Sequence, residues 1–186
     1  MAPSLAPTPS APAQPSASPY AADLEALLPA ELRGVPLTRY SFPSSAICEG
    51  CDFCSAVCAG ELPGLAKALG VDVSRIDVAI AVSDAKVADP PKVLIVAMRV
   101  RGAATNRLVQ ARLDSYRAGS FSAQSETVTV KGRAVTWAIY GFPTAGTMEY
   151  LYAHDDVLFR IVDGVERTPG SPTTPPDTVL AIEALP

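Results

Sequence analysis

The clearest pattern of hydrophobic and polar positions is the alternation in IDVAIAVS, at positions 76–83, where every second side chain is a large aliphatic one. This period of two predicts a β-strand with one buried face. Positions 92–101 are apolar on both faces and predict a central strand of a sheet. GVPLTRYSF, at positions 34–42, predicts an earlier strand, so a β-sheet is the expected framework of the chain.

Helical spacing of apolar residues occurs in four other stretches. Leucines three and four positions apart predict a short helix over 20–28. ELPGLAKALG predicts a second one with Pro63 in its first turn, and positions 103–118 predict a third with one apolar arc. Asp177 can cap a last helix over 178–185.

Two β-hairpins are predicted ahead of the last helix, turning at Lys131-Gly132 and at Asp155-Asp156, because these residue pairs tolerate positive φ. The order of strand, helix, two strands, helix and two hairpins predicts an α+β domain. We expect an antiparallel sheet with helices packed on one face. Its core is expected to be ferredoxin-like, a split βαβ unit that the two C-terminal hairpins extend.

Composition divides the chain of 186 residues into three parts. Residues 1–22 carry no charged side chain and are rich in Pro, Ala and Ser, which predicts a disordered, partly polyproline tail. Residues 23–164 are the expected α+β domain, and residues 165–186 a Pro/Thr linker with the short helix. No apolar run approaches the roughly 18 residues of a membrane span.

The tail also bears on the compartment. It has no basic start and no continuous apolar core, so it is not itself a signal peptide. Uncharged Pro/Ala/Ser spacers often follow a removed signal or lipid-anchor segment, and we therefore expect an extracytoplasmic protein, secreted or lipid-anchored. The alternative is a cytoplasmic protein with a low-complexity arm. The net charge of −4 is too small to indicate a polyanionic partner.

Four cysteines lie close together in CEGCDFCSAVC: Cys48, Cys51, Cys54 and Cys58. Their C-x2-C-x2-C-x3-C spacing resembles the cluster-binding run of bacterial ferredoxins, and the resemblance implies an iron–sulfur cluster held by these thiolates. The family's run continues with proline, whereas Ala59 stands here, and no second run of cysteines follows. Zinc, or copper(I) held by several thiolates, is the other metal compatible with the set.

Disulfides are the favoured interpretation of the same cysteines. Their number is even, and an oxidising compartment would pair them as two local bridges, with three connectivities left open. No cofactor is then expected. A further alternative is a helix that uses the cysteines as small core residues on one face.

The body of the chain resembles a class of uncharacterised bacterial secreted or lipoprotein-type domains. The resemblance rests on LPAELRGVPLTRYSF, on DVAIAV paired with VLIVAMRVRG, and on YLYAHDDVLFRIVDG ahead of a helix ending in ALP. It implies an extracytoplasmic α+β domain without a known activity. It is a resemblance of pattern, so it carries no functional residues over.

Catalytic motifs are missing from the sequence. It has no G-x-S-x-G elbow, P-loop or G-x-G-x-x-G run, and His154 is its one histidine. His154 with Glu149 could form a metal or acid–base site, but a histidine in a hairpin turn is more often a solvated residue. We therefore expect no enzyme.

Two sets of side chains could mark binding surfaces. Arg107, Arg112 and Arg117 on the third helix could receive an acidic or cell-envelope partner, although a solvated helix face is the commoner case. The aromatic residues of the two hairpins could line a pocket for an apolar ligand, or simply pair across strands: Trp137, Tyr140, Phe142, Tyr150, Tyr152 and Phe159. No aromatic residue alternates with the arginines, so nucleic-acid binding is not expected.

The expected function is therefore a non-enzymatic extracytoplasmic binding or structural domain. The alternatives are a metal-binding or electron-transfer protein that uses the cysteines, and a carrier of an apolar ligand between sheet and helices.

Overall fold

The computed structural model of the chain describes residues 20–44, 61–83, 91, 93–118, 122–142, 145–163 and 174–186. The four cysteines, most of the predicted tail and most of the Pro/Thr linker lie outside these residues. The helices are α1 (Ala22–Glu25), α2 (Glu61–Leu69), α3 (Thr105–Ala118) and α4 (Pro176–Ala184). The strands are β1 (Glu31–Leu32), β2 (Val35–Pro43), β3 (Ile76–Ser83), β4 (Val93–Val100), β5 (Ser122–Val130), β6 (Arg133–Phe142), β7 (Ala145–His154) and β8 (Val157–Asp163).

Within the described residues the fold is α+β, with one open antiparallel sheet in the order β1-β2-β3-β4-β8-β7-β6-β5. This order differs from the predicted ferredoxin-like core. In a split βαβ unit, the strands before and after the first helix run parallel with another strand between them. Here β2 and β3 flank α2 and pair directly and antiparallel, with Tyr40 opposite Ile80.

Helices cover both faces of the sheet, so the expectation of helices on one face is wrong. One buried cluster joins α1 and α4 to the sheet, and a second joins α2 and α3 to its opposite side. We call these sides the α1/α4 face and the α2/α3 face. The sequence pattern of β3 indicated only one buried face, because Ala79 and Ala81 on its other face are small enough to be exposed to solvent. Both alanines are in fact fully buried on the α1/α4 face.

Close packing of α2 on α3 forms the outer layer of the α2/α3 face. A Cβ atom added at Gly64 would lie 3.2 Å from the Ser115 Cβ atom, so the helices approach closely at this point. Leu65 of α2 and Leu108 of α3 are fully buried beneath the crossing. The crossing therefore holds α3 firmly over the sheet.

Tight turns set the register of the outer strands. Arg33-Gly34 joins β1 to β2, and Lys131-Gly132 joins β5 to β6, with positive φ at all four residues. This is the conformation of type I′ turns, whose twist matches that of paired strands.

The sheet curls around α4. A flat sheet of this order would separate β1 from β5 by about 34 Å, given about 4.8 Å between neighbouring strands. A nine-residue helix is only about 14 Å long. Nevertheless α4 has Cα atoms within 8 Å of both β1 and β5, as well as of β4 and β8. The α1/α4 face is therefore concave, and α4 lies inside it.

One contact in this concave face is imperfect. The Thr178 side chain on α4 is fully buried, and among the described residues its hydroxyl has no hydrogen-bond partner. Replacing Thr178 by the isosteric valine removes this unpaired group, so we expect the free energy of unfolding to rise by about 1 kcal/mol. Urea denaturation checks this, with Thr129→Val at an exposed position of β5 as the control. A loss of stability in Thr178→Val would mean that the hydroxyl is hydrogen-bonded after all.

Candidate functional site

Ionisable side chains are concentrated under α3, on the α2/α3 face. We call them the Glu149 cluster: Glu149 on β7, Arg160 on β8, Tyr140 on β6, and Arg112 and Tyr116 on α3. Strand register brings the sheet residues together, because Ala138 pairs with Glu149 and Leu151 pairs with Arg160. The α3 residues are four positions apart and share one side of the helix.

The Glu149 carboxylate is the centre of the cluster. Its exposed fraction is 0%, and those of Arg112 and Arg160 are 1% and 4%. Tyr116 Oη donates a hydrogen bond to Glu149 Oε1, and Arg160 Nε donates one to Glu149 Oε2. Arg112 Nε lies 3.6 Å from Glu149 Oε1. Both carboxylate oxygens are therefore bound by donors from different elements.

The two tyrosines complete the cluster. Arg160 Nη2 donates to Tyr140 Oη at 2.7 Å. The Tyr140 and Tyr116 rings stack with centroids 4.3 Å apart, and the Arg112 guanidinium lies over the Tyr116 ring at 4.3 Å. These contacts join α3 to three strands through polar groups that are buried, apart from Tyr140, which is partly exposed.

The electrostatics fix the protonation states. Burial alone would raise the pKa of Glu149, but the guanidinium groups of Arg112 and Arg160 outweigh it and hold that pKa below its ordinary value. Burial, and then the Glu149 charge, raise the pKa of Tyr116 far above its ordinary value. At neutral pH the carboxylate is ionised and the phenol is protonated. Neither group is suited to exchange a proton with a substrate.

No protein-family model matches the chain, and no curated protein or solved structure matches it. The role of the cluster is therefore argued from its own geometry.

The lowered pKa of Glu149 predicts acid lability. The ion pairs stabilise the folded chain fully above the ordinary glutamate pKa of about 4.3, and this contribution is lost as the pH falls below that value. Urea denaturation of the wild-type chain at a series of pH values from about 5 downward should show the loss. The free energy of unfolding should fall less steeply with decreasing pH in Glu149→Gln, because this variant has no carboxylate to protonate at position 149. In Glu126→Gln the slope should equal that of the wild-type chain. Equal slopes in all three proteins would contradict the assignment.

The site that His154 and Glu149 could have formed is not present. The two residues are five positions apart on β7, and successive side chains of a strand point to opposite faces. Glu149 is buried beneath α3, whereas the His154 side chain is 45% exposed and its Nε2 atom lies 3.5 Å from Asp155 Oδ2. His154 is therefore an exposed residue at the hairpin turn, the interpretation that the sequence favoured.

The three arginines of α3 that could have formed a binding surface do not lie on one exposed surface. Arg112 is buried against Glu149 and cannot receive a partner at the surface. Arg117 is exposed and pairs with Asp114 of its own helix at 2.8 Å. Arg107 is exposed. The three side chains therefore do not form one basic surface.

The aromatic residues of the hairpins are divided between the two faces. Trp137, Tyr150 and Phe159 are buried in the α1/α4 cluster, and Trp137 pairs across strands with Tyr150. Tyr152 pairs with Phe159, and their rings stack with centroids 6.0 Å apart. Tyr140 points the other way, into the Glu149 cluster, and the side chain of Phe142 lies outside the description. As a group these residues form cross-strand pairs and core.

A second buried carboxylate fastens the N-terminal segment to the sheet. Asp77 is 2% exposed and accepts hydrogen bonds from Arg101 Nη2 at 2.6 Å and from Tyr20 Oη at 3.3 Å. Beside it, Arg99 Nη1 lies 2.6 Å from Asp23 Oδ2 on α1. These contacts join residues 20–25 to β3 and β4.

Among the residues that the structure describes, no group of three or more His, Cys, Asp or Glu side chains is placed to hold a metal ion. Cys48, Cys51, Cys54 and Cys58 fall outside that part of the chain. None of the described helices is both long and apolar enough to cross a bilayer.

Proposed function

We propose that the chain is a non-enzymatic binding or structural domain that works outside the cytoplasm, secreted or lipid-anchored. The observation that supports this most is the burial of the Glu149 cluster. Its carboxylate, its two guanidinium groups and the Tyr116 phenol are bound to one another beneath α3 and are buried. A catalytic carboxylate needs contact with its substrate, whereas these groups serve to hold α3 on the sheet.

The anchored N-terminal segment supports the tethering part of the proposal. Tyr20 and Asp23 bind to β3 and β4, and the Ala21 backbone N–H donates to Ser41 Oγ at 2.8 Å. The uncharged Pro/Ala/Ser sequence before Tyr20 therefore joins the domain at a fixed point. A Pro-rich stretch of this composition acts as a semi-rigid spacer. It would hold the domain away from a surface to which the chain is attached.

The cysteines are proposed to form two local disulfides. The test is the intact mass of the protein isolated from its own compartment without reductant. A mass lower than that of the reduced chain by the hydrogens of two disulfides is expected, with the protein found outside the cytoplasm. Cytoplasmic protein with four free thiols would overturn both the disulfides and the location.

A metal-binding or electron-transfer protein is the second candidate, supported by the C-x2-C-x2-C-x3-C spacing alone. Protein purified without oxygen should then be coloured, or should contain iron, zinc or copper in stoichiometric amount. Colourless protein without such a metal would remove this candidate. The same intact mass separates it from the disulfide proposal, because a bound metal adds mass.

An apolar-ligand carrier is the third candidate, suggested by the number of aromatic residues on the two hairpins, although those whose side chains the structure describes form cross-strand pairs and core. Solvent extraction of freshly purified protein should then release a lipid or another apolar compound. Extraction that releases nothing would remove it.

A further inference from the structure

The helix α4 has a simple binding surface. Its buried residues Thr178, Ala181 and Ile182 are spaced i, i+3 and i+4, the pattern of an amphipathic helix lying in a groove, and Leu185, which directly follows the helix in an extended conformation, is buried at the i+7 position. Ala181, Ile182 and Leu185 belong to the same buried cluster as Phe159 and Ile161 of β8. The groove that receives them is the concave α1/α4 face.

Cationic side chains line both ends of this groove. Arg33, in the β1–β2 turn, lies 2.9 Å from Asp177 Oδ1 in the first turn of α4. At the other end Lys131, in the β5–β6 turn, lies 3.4 Å from Glu183 Oε2. Each end of the groove therefore presents positive charge to a carboxylate of the helix.

Hydrogen bonds to a backbone oxygen complete the far end. Arg133 Nη1 and Tyr152 Oη both donate to the backbone oxygen of Pro186, at 2.8 and 2.9 Å. The Arg133 guanidinium also lies over the Tyr152 ring at 5.3 Å. These donors bind a backbone atom, so they would accept the end of any helix of suitable length.

Several features make α4 a weakly held element. A helix of nine residues is marginal without tertiary packing. The ion pair of Lys131 with Glu183 joins half-exposed side chains, and such pairs contribute little to stability. Inside the groove, the buried Thr178 hydroxyl has no partner among the described residues. Because no backbone hydrogen bonds pair α4 with the described strands, this helix can open while the sheet stays paired.

We propose that the groove beneath α4 is a docking site for an amphipathic helix of a partner protein, and that α4 occupies this site in the free chain. The partner helix carries small and aliphatic residues at i, i+3, i+4 and i+7, and a carboxylate near each end. The cations Arg33 at one end and Lys131 at the other select for those carboxylates. This inference rests on the proposed binding function and names its partner class.

A labelled synthetic peptide of residues 174–186 serves as the probe, measured by fluorescence anisotropy with the full chain. Ile182→Glu prevents the chain's own α4 from docking, so this variant should bind the peptide at least tenfold more tightly than the wild-type chain does. A peptide with Ile182→Glu should not bind. A peptide with Asp177→Lys and Glu183→Lys should bind about tenfold more weakly than the natural one. Circular dichroism shows whether the variant chain keeps its sheet.

Native-state hydrogen exchange of the wild-type chain tests the opening without any variant. The amides of α4 should exchange faster than those of β4 and β8, with a dependence on denaturant smaller than that of global unfolding, because undocking α4 exposes only part of the buried surface. Equal protection of α4 and the strands would overturn the proposal, and so would a folded Ile182→Glu chain that binds no peptide. A wild-type dimer held by exchanged α4 helices would assign the groove to a second copy and overturn the partner helix. These outcomes are independent of the thiol and location measurements, which test the proposed function.

Discussion

Replacing Glu149 by glutamine is expected to lower the free energy of unfolding by about 3–5 kcal/mol, because it leaves the buried guanidinium groups of Arg112 and Arg160 without their counter-charge. The gain from the Glu149 ion pairs is largely offset by the cost of burying the charges, so removing one partner exposes that cost. The free energy of unfolding of a typical domain is about 5–15 kcal/mol in total. The variant is therefore expected to lose a large share of its stability.

Urea denaturation at neutral pH measures the loss, with Glu126→Gln on the exposed surface of β5 as the matched control. That control should change the free energy of unfolding by less than about 0.5 kcal/mol. A combined change of Glu149, Arg112 and Arg160 to methionine should recover much of the loss, because it removes the buried charges together. A loss below about 1 kcal/mol in Glu149→Gln would show that water or another group compensates the arginines.

The strands with the strongest sequence patterns were predicted well. The alternation at positions 76–83 coincides with β3, and the segment apolar on both faces, 92–101, contains β4 (Val93–Val100). In both cases only a strand inside the sheet can bury the large aliphatic residues at this spacing. The prediction failed for small residues. Ala79 and Ala81 can lie either in solvent or in a core, and they are buried here because α1 and α4 pack on their face of the sheet.

The Glu149 cluster was not predicted, although the sequence contains a signal for it. Glu149 and Arg160 each interrupt a strand that is otherwise mostly apolar, at positions whose neighbours in the alternation, Leu151 and Leu158, are buried. A charge on a buried face of a strand requires a counter-charge on the same face. The same alternation explains why Glu149 does not contact His154. Residues an odd number of positions apart on a strand point to opposite faces of the sheet. The α3 partners, Arg112 and Tyr116, depend on how the helix packs and have no such signal.

Replacing Phe159 by alanine is expected to cost about 3–5 kcal/mol, the usual range for a fully buried phenylalanine. Phe159 lies on β8, between β4 and β7, so the strand that carries it stays paired on both sides even when α4 opens. The cost of losing its side chain should therefore not be limited by the free energy with which α4 docks, and urea denaturation measures it. Tyr152→Phe, which removes only the hydrogen bond to the Pro186 oxygen, is the control and should cost about 1 kcal/mol.

Comparing the stability cost of Ile182→Ala with that of Phe159→Ala tests whether α4 opens separately from the core. Ile182 is as fully buried as Phe159, and a buried isoleucine changed to alanine usually costs about 2–5 kcal/mol. If α4 opens separately, the loss cannot exceed the free energy with which α4 docks, because the sheet stays folded after the helix leaves. We expect Ile182→Ala to cost less than about 2 kcal/mol, with the hydrogen exchange of β4 and β8 unchanged. A cost equal to that of Phe159→Ala, with faster exchange in both strands, would show that α4 belongs to the same cooperative unit as the sheet.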